Sequence, residues 1–143
     1  MLILTLKIKH MESTHIHIPL HEGQYYHVYN RGNGGIPIFY NERNYYYFLK
    51  KYDEYLSDIL ETYSYCLLPN HFHLLVRIKD FPSFENLESL KLPYSKERTV
   101  ENIVSELFRR FLMSYSKSIN TQQNRKGSLF QKNFRRVQFY NCY

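Results

Sequence analysis

Cysteine is scarce in this 143-residue chain: Cys66 and Cys142 are the only two. Two thiols cannot build a disulfide scaffold or a four-cysteine zinc site, so a reducing, cytoplasmic setting of bacterial type is expected. No apolar run approaches the ~20 residues of a bilayer-spanning helix, so no membrane partner is expected. Met1 to Ile8 is too short and too lysine-interrupted for a signal peptide, and no small-residue cleavage site follows it. Acid is missing as well, but only from one region. Through Glu106 the chain holds 11 Lys+Arg and 13 Asp+Glu, whereas Leu107 to Tyr143 holds 8 Lys+Arg and no acid. The whole net charge of +6 therefore comes from the last quarter. A one-signed segment interleaved with Phe, Tyr, Asn and Gln suits contact with a phosphate backbone; it equally suits a solvated basic helix and tail.

With 43% hydrophobic and 22% charged residues, the chain can bury the core of one domain. Residues 1–23 read as an N-terminal extension, the first ten as an upstream addition before a start at Met11, and residues 24–143 as the domain. Tyr25 to Asn30 reads as a first strand, broken by the loop Arg31-Gly32-Asn33-Gly34-Gly35. Asn41 can cap a helix reaching about Leu60, with Tyr45, Phe48, Leu49, Tyr52, Leu56, Ile59 and Leu60 at helical spacing. Thr62 to Leu68 and His71 to Ile78 read as strands of a hairpin turning at Pro69-Asn70. Asp80 to Ser95 reads as loop. Thr99 caps a second helix whose stripe runs Val100, Ile103, Val104, Leu107, Phe108, Phe111, Leu112, Tyr115 and Ile119. After a turn at Asn124 to Gly127, Ser128 to Val137 reads as extended. This order predicts an α+β sandwich, a mostly antiparallel sheet with helices on one face.

Within the second hairpin strand, His71 and His73 share one face while Phe72, Leu74 and Val76 point to the other. Two imidazoles about 7 Å apart at the backbone can hold one divalent cation if a third ligand comes from elsewhere. His15-Ile16-His17 has the same spacing but no hairpin partner, and reads as a tail. Cys66 with His71 and His73 would make a zinc site only with a fourth ligand that the spacing does not supply.

The stretch Tyr65-Cys66-Leu67-Leu68-Pro69-Asn70-His71-Phe72-His73-Leu74-Leu75-Val76 resembles the signature strand pair of the single-tyrosine HUH transposases, and most of all the REP-associated tyrosine transposases. Tyr26-His27-Val28-Tyr29-Asn30-Arg31-Gly32, followed by Ile38-Phe39, is similar to that family's opening strand and loop. Gly127-Ser128-Leu129-Phe130-Gln131-Lys132-Asn133-Phe134-Arg135 is similar to its glycine-to-basic motif. The resemblance implies a ferredoxin-like sheet and nicking and rejoining of single-stranded or hairpin DNA in DNA transposition. It implies that His71 and His73 hold Mg²⁺ or Mn²⁺ and that a tyrosine forms a 5′-phosphotyrosine link. Arg31, Arg125, Lys126, Lys132, Arg135 and Arg136 are the expected DNA contacts, as phosphate clamps.

In the family the nucleophile lies on a helix after the glycine-to-basic motif, in a Tyr-x-x-x-Asn pattern. This sequence ends seven residues beyond Arg136 without one, so it reads as truncated within the domain, with the third metal ligand also in question. Tyr115 is the fallback nucleophile because of its basic neighbours, yet it falls on the apolar stripe, in register with Phe108, Phe111 and Leu112. Tyr140 and Tyr143 stand on a tail too short to hold them. The alternative is a non-catalytic single-stranded nucleic-acid-binding module. A sheet face left bare by a missing helix favours dimerisation, and both monomer and homodimer remain open.

Overall fold

The computed structural model describes residues 18–80 and 99–139. The His15-His17 pair, most of the loop expected over Asp80 to Ser95, Tyr140, Cys142 and Tyr143 lie outside the described residues. Among the described residues, four strands and two α-helices follow in the order β1 (Tyr25–Arg31), α1 (Glu42–Leu56), β2 (Leu60–Leu68), β3 (His71–Ile78), α2 (Val100–Gln122) and β4 (Arg135–Phe139), with one short 3-10 turn at Asn33–Gly35. The sheet order is β2-β3-β1-β4 and every pairing is antiparallel, the α+β, ferredoxin-like arrangement expected.

Local chemistry explains the elements. Asn41 accepts from the Asn44 backbone while the Asn44 side chain returns a bond to Asn41, a reciprocal cap that starts α1. The helix stops at Leu56, four residues short of the expected end. Ile59 and Leu60 continue its apolar spacing but are buried in the turn and at the start of β2. Thr99 caps α2 as expected, accepting from the Asn102 backbone at 3.2 Å.

The extended stretch expected over Ser128 to Val137 is instead a loop through Phe134, and only then β4. Gly127, with φ of 89°, closes the expected turn, and Asn133, with φ of 61°, turns the chain again where an extended run was expected. Gly32 is fixed by close approach, since a Cβ there would collide with the Ile36 carbonyl. The loop after it is tied to the hairpin turn: Gly32 N donates to Asn70 O at 2.8 Å, and Ile38 N donates to Pro69 O at 2.7 Å.

β1 and β3 alternate strictly. Tyr26 and Val28 on β1, and Phe72, Leu74, Val76 and Ile78 on β3, are buried under the helices. Phe48, Tyr52 and Leu56 of α1 and Ile103, Val104, Leu107, Phe108 and Phe111 of α2 complete that core. Fully burying each such side chain contributes roughly 1.5–3 kcal/mol. The opposite sheet face has no helix over it among the described residues, and it carries the histidines.

Candidate metal and nucleic-acid site on the open sheet face

His71 opens β3 directly after the turn. Its Nδ1 donates to Asn70 Oδ1 at 2.6 Å; an amide oxygen only accepts, so the His71 hydrogen sits on Nδ1 and the Nε2 lone pair remains for a ligand. His73, two residues on, presents Nδ1 to His27 Nε2 at 2.8 Å. When His73 carries that hydrogen, its Nε2 is likewise left to coordinate. Burial, then the His71 charge, holds the His73 imidazole below its ordinary pKa and favours the neutral, ligating form. The two rings meet edge to face with centroids 5.1 Å apart.

The sequence pattern does not single out His27. It stands on β1 with Tyr25 and Tyr29, and only the β1–β3 register, which pairs Tyr29 with His73 and His27 with Leu75, brings it diagonally against His73. Alternation alone puts His27 and His73 on one face. Their contact depends on a pairing between strands 46 residues apart.

Arg31 pairs with His71 across the sheet, and Arg135 pairs with Tyr29. Both are exposed, and both line a cavity of about 280 Å³ with His71, His73, Asn70 and Gln131. With its amide oxygen turned toward Arg31, Gln131 accepts from the guanidinium Nε at 2.8 Å and Nη2 at 3.2 Å. The structure thus brings two imidazoles and two arginines to one hollow.

That donor set fits a divalent cation in part. Two nitrogen ligands share a face, each oriented by a further hydrogen bond, but no third His, Cys, Asp or Glu joins them in metal-binding geometry among the described residues. Cys66 pairs with His73 in register and is exposed, without completing a cluster.

The remaining expected contacts lie elsewhere. Arg125, Lys126 and Lys132 line a larger concavity of about 1330 Å³ between α2 and the loop that follows it. Arg125 donates to Asn120 Oδ1 at 3.2 Å, and Lys126 and Lys132 are exposed. Glu106 also lines this concavity, and Arg109, then Arg110, holds its carboxyl down to about 2.

Arg136 is 6% exposed. It donates to Ile18 O at 2.7 Å, pairs with Glu101 at 2.8 Å and lies 5.2 Å from the Phe134 ring centroid. Burial lowers its pKa against the opposing pull of Glu101. Adjacent residues on a strand face opposite ways, so Arg135 meets the open face while Arg136 is committed to the interior. Tyr115, the fallback nucleophile, is fully buried on α2, under the covered face of the sheet. Its hydroxyl donates to Ile38 O at 2.6 Å, and desolvation drives its pKa far above the ordinary phenol range.

At the far end of the open face, Tyr63 of β2 meets Tyr25 of β1 with ring centroids 5.5 Å apart and planes 55° apart. The Tyr63 phenol is pushed up to about 12, first by its contact with the Tyr25 hydroxyl.

No protein-family model matches the sequence, and no curated protein was found to be similar to it. Among solved structures, the chain is similar to a REP-associated tyrosine transposase bound to a REP hairpin, with a TM-score of 0.57 and 12% identity. The match covers 91% of this chain and 64% of that one. The likeness is one of fold: a ferredoxin-like α+β sheet shared across nearly all of this chain, which spans less than two thirds of the transposase's length.

Proposed function

We propose that this chain is the DNA-handling part of a transposase-type protein that nicks and rejoins single-stranded DNA. The carrying observation is the His71–His73 pair, oriented by Asn70 and His27 and flanked by Arg31 and Arg135 in one hollow. Mg²⁺ or Mn²⁺ held there by the two Nε2 atoms, phosphate oxygens and water would polarise the scissile phosphate. Arg31 and Arg135 hold the backbone on either side. In the reaction, a tyrosine hydroxyl attacks phosphorus, the bond to the 3′-oxygen breaks, and the proton ends on that 3′-hydroxyl. Reversal rejoins the strand without a nucleotide cofactor.

The buried Tyr115 hydroxyl favours a second reading, a module that binds single-stranded DNA without cutting it. End-labelled single-stranded hairpin DNA mixed with the protein and Mn²⁺ separates the two. An SDS-resistant band, blocked by EDTA and lost in His71→Ala, is the expected result for the nicking reaction. Salt-sensitive binding that ignores EDTA and leaves no adduct supports the binding module instead.

A further inference from the structure

We infer that the open sheet face carries a base-stacking track, ending at a Tyr25–Tyr63 subsite for one unpaired nucleobase. This inference rests on the reading that the face receives single-stranded DNA. Tyr25, His27 and Tyr29 are alternate residues of β1 and so point the same way. His27 and Tyr29 stack with centroids 4.9 Å apart, and both rings also stack on His73, at 5.0 and 5.8 Å. From Tyr29 to Tyr25 the strand advances about 14 Å, at ~3.4 Å per residue.

The far end of the track owes its second ring to an irregularity. The β2–β3 register slips between Thr62 and Ser64, leaving Tyr63 as an extra residue. Thr62 bonds the Tyr52 hydroxyl of α1 on the covered side, whereas Tyr63 and then Ser64, which pairs with Leu75, serve the open side. A bulge re-aims a side chain in this way. Tyr63 is 56% exposed although its ring touches Tyr25, and the 55° tilt keeps the two rings from covering each other face to face.

Charge along the face is sorted to match a polynucleotide. Arg31 and Arg135 stand at the histidine end, where a phosphate is wanted. Near the tyrosine end Arg77 is paired with both Glu61 and Asp80, so that end offers rings with little net charge. Aromatic rings on a four-stranded sheet beside a basic rim suit splayed, stacked bases; the rings read no sequence because every base has a π-face.

The test measures the affinity of the full chain for a fluorescent oligothymidylate across a salt series. Tyr63→Ala is expected to weaken binding by about tenfold. The plot of log K against log salt should shift in parallel, because no phosphate contact is lost. Tyr63→Phe and Tyr25→Phe should bind as the wild type does. Wild-type binding with Tyr63→Ala and Tyr25→Ala both within twofold overturns the track but leaves the DNA-handling reading intact. A phenylalanine variant as weak as the alanine one also overturns it, since the hydroxyl rather than the ring would then matter. A wild-type dimer that Tyr63→Ala converts to monomer gives the face to a second copy and overturns it too. No binding by the wild type overturns both readings together.

Discussion

The two faces of this sheet are made from the same strands and obey opposite rules. On the covered face, polar atoms are spent on internal bonds: Tyr115 caps the Ile38 carbonyl, Arg136 clasps Ile18 and Glu101, and Asn30 Nδ2 holds Gln131 O. On the open face, His71, His73, Arg31 and Arg135 use one part of each group to fix the side chain or leave it at the rim, and turn the rest toward a common hollow. The contrast is sharpest between Arg135 and Arg136, neighbours in sequence with the same chemistry and opposite surroundings. A basic residue is left open to a ligand or committed as a structural clasp according to its position on the pleat, and its charge alone does not distinguish the two.

The largest break in this comparison comes from Tyr115. Tyr115→Ala removes a ring packed against Phe48, at a centroid distance of 5.1 Å, and should lower unfolding stability in urea by about 3–5 kcal/mol. Tyr115→Phe should cost about 1–2 kcal/mol, because the buried Ile38 carbonyl loses its donor. An adduct yield unchanged in that folded variant would remove Tyr115 from the list of nucleophiles.

Next in size is the arginine pair. Arg136→Ala should cost about 2–4 kcal/mol by leaving the Ile18 carbonyl and Glu101 without their partner. Arg135→Ala should stay within about 0.5 kcal/mol in the same urea titration. In DNA binding the order reverses. Arg135→Ala and Arg31→Ala should each reduce the slope of log K against log salt by about one, and Arg125→Ala tests whether the second concavity shares the load.

The smallest effect is a pH dependence on the helical side. Folding holds the Glu106 carboxyl at about 2, below the 4.5 of an ordinary glutamate, so its contribution to stability is present above pH 4.5 and is lost as pH falls toward 2. Solvent screening of the exposed Arg109 limits the contribution to roughly 0.5 kcal/mol. Melting curves from pH 6 down to pH 2 should therefore fall slightly more steeply for the wild type than for Glu106→Gln.

The legible features were those written in local periodicity. The β2–β3 hairpin, the stripe of α2 and the facing of His71 and His73 against Phe72 and Leu74 all follow from spacing along one segment. The illegible ones depend on distant partners or on a reset of phase. Ile59 and Leu60 fit the period of α1, and only the start of β2 gives them another use. The side of the sheet taken by Arg135 or Arg136 could not be counted from Gly127, because Asn133 turns the chain at positive φ just before β4. The role of His27 depends on the β1–β3 register, which no local pattern states.

One pairing also bears on how the chain is made. β1 is an inner strand, yet one of its two edges is closed only by β4, with Tyr25 opposite Phe139. As the chain leaves the ribosome, β1, β2, β3 and both helices emerge while that edge still has no partner. Strand pairings this far apart in sequence form slowly, and an open inner edge invites pairing with another nascent chain. Slow translation between α2 and β4 would lengthen that exposure. Yield of native protein should therefore depend more on synthesis of β4 than on any other stretch of comparable length.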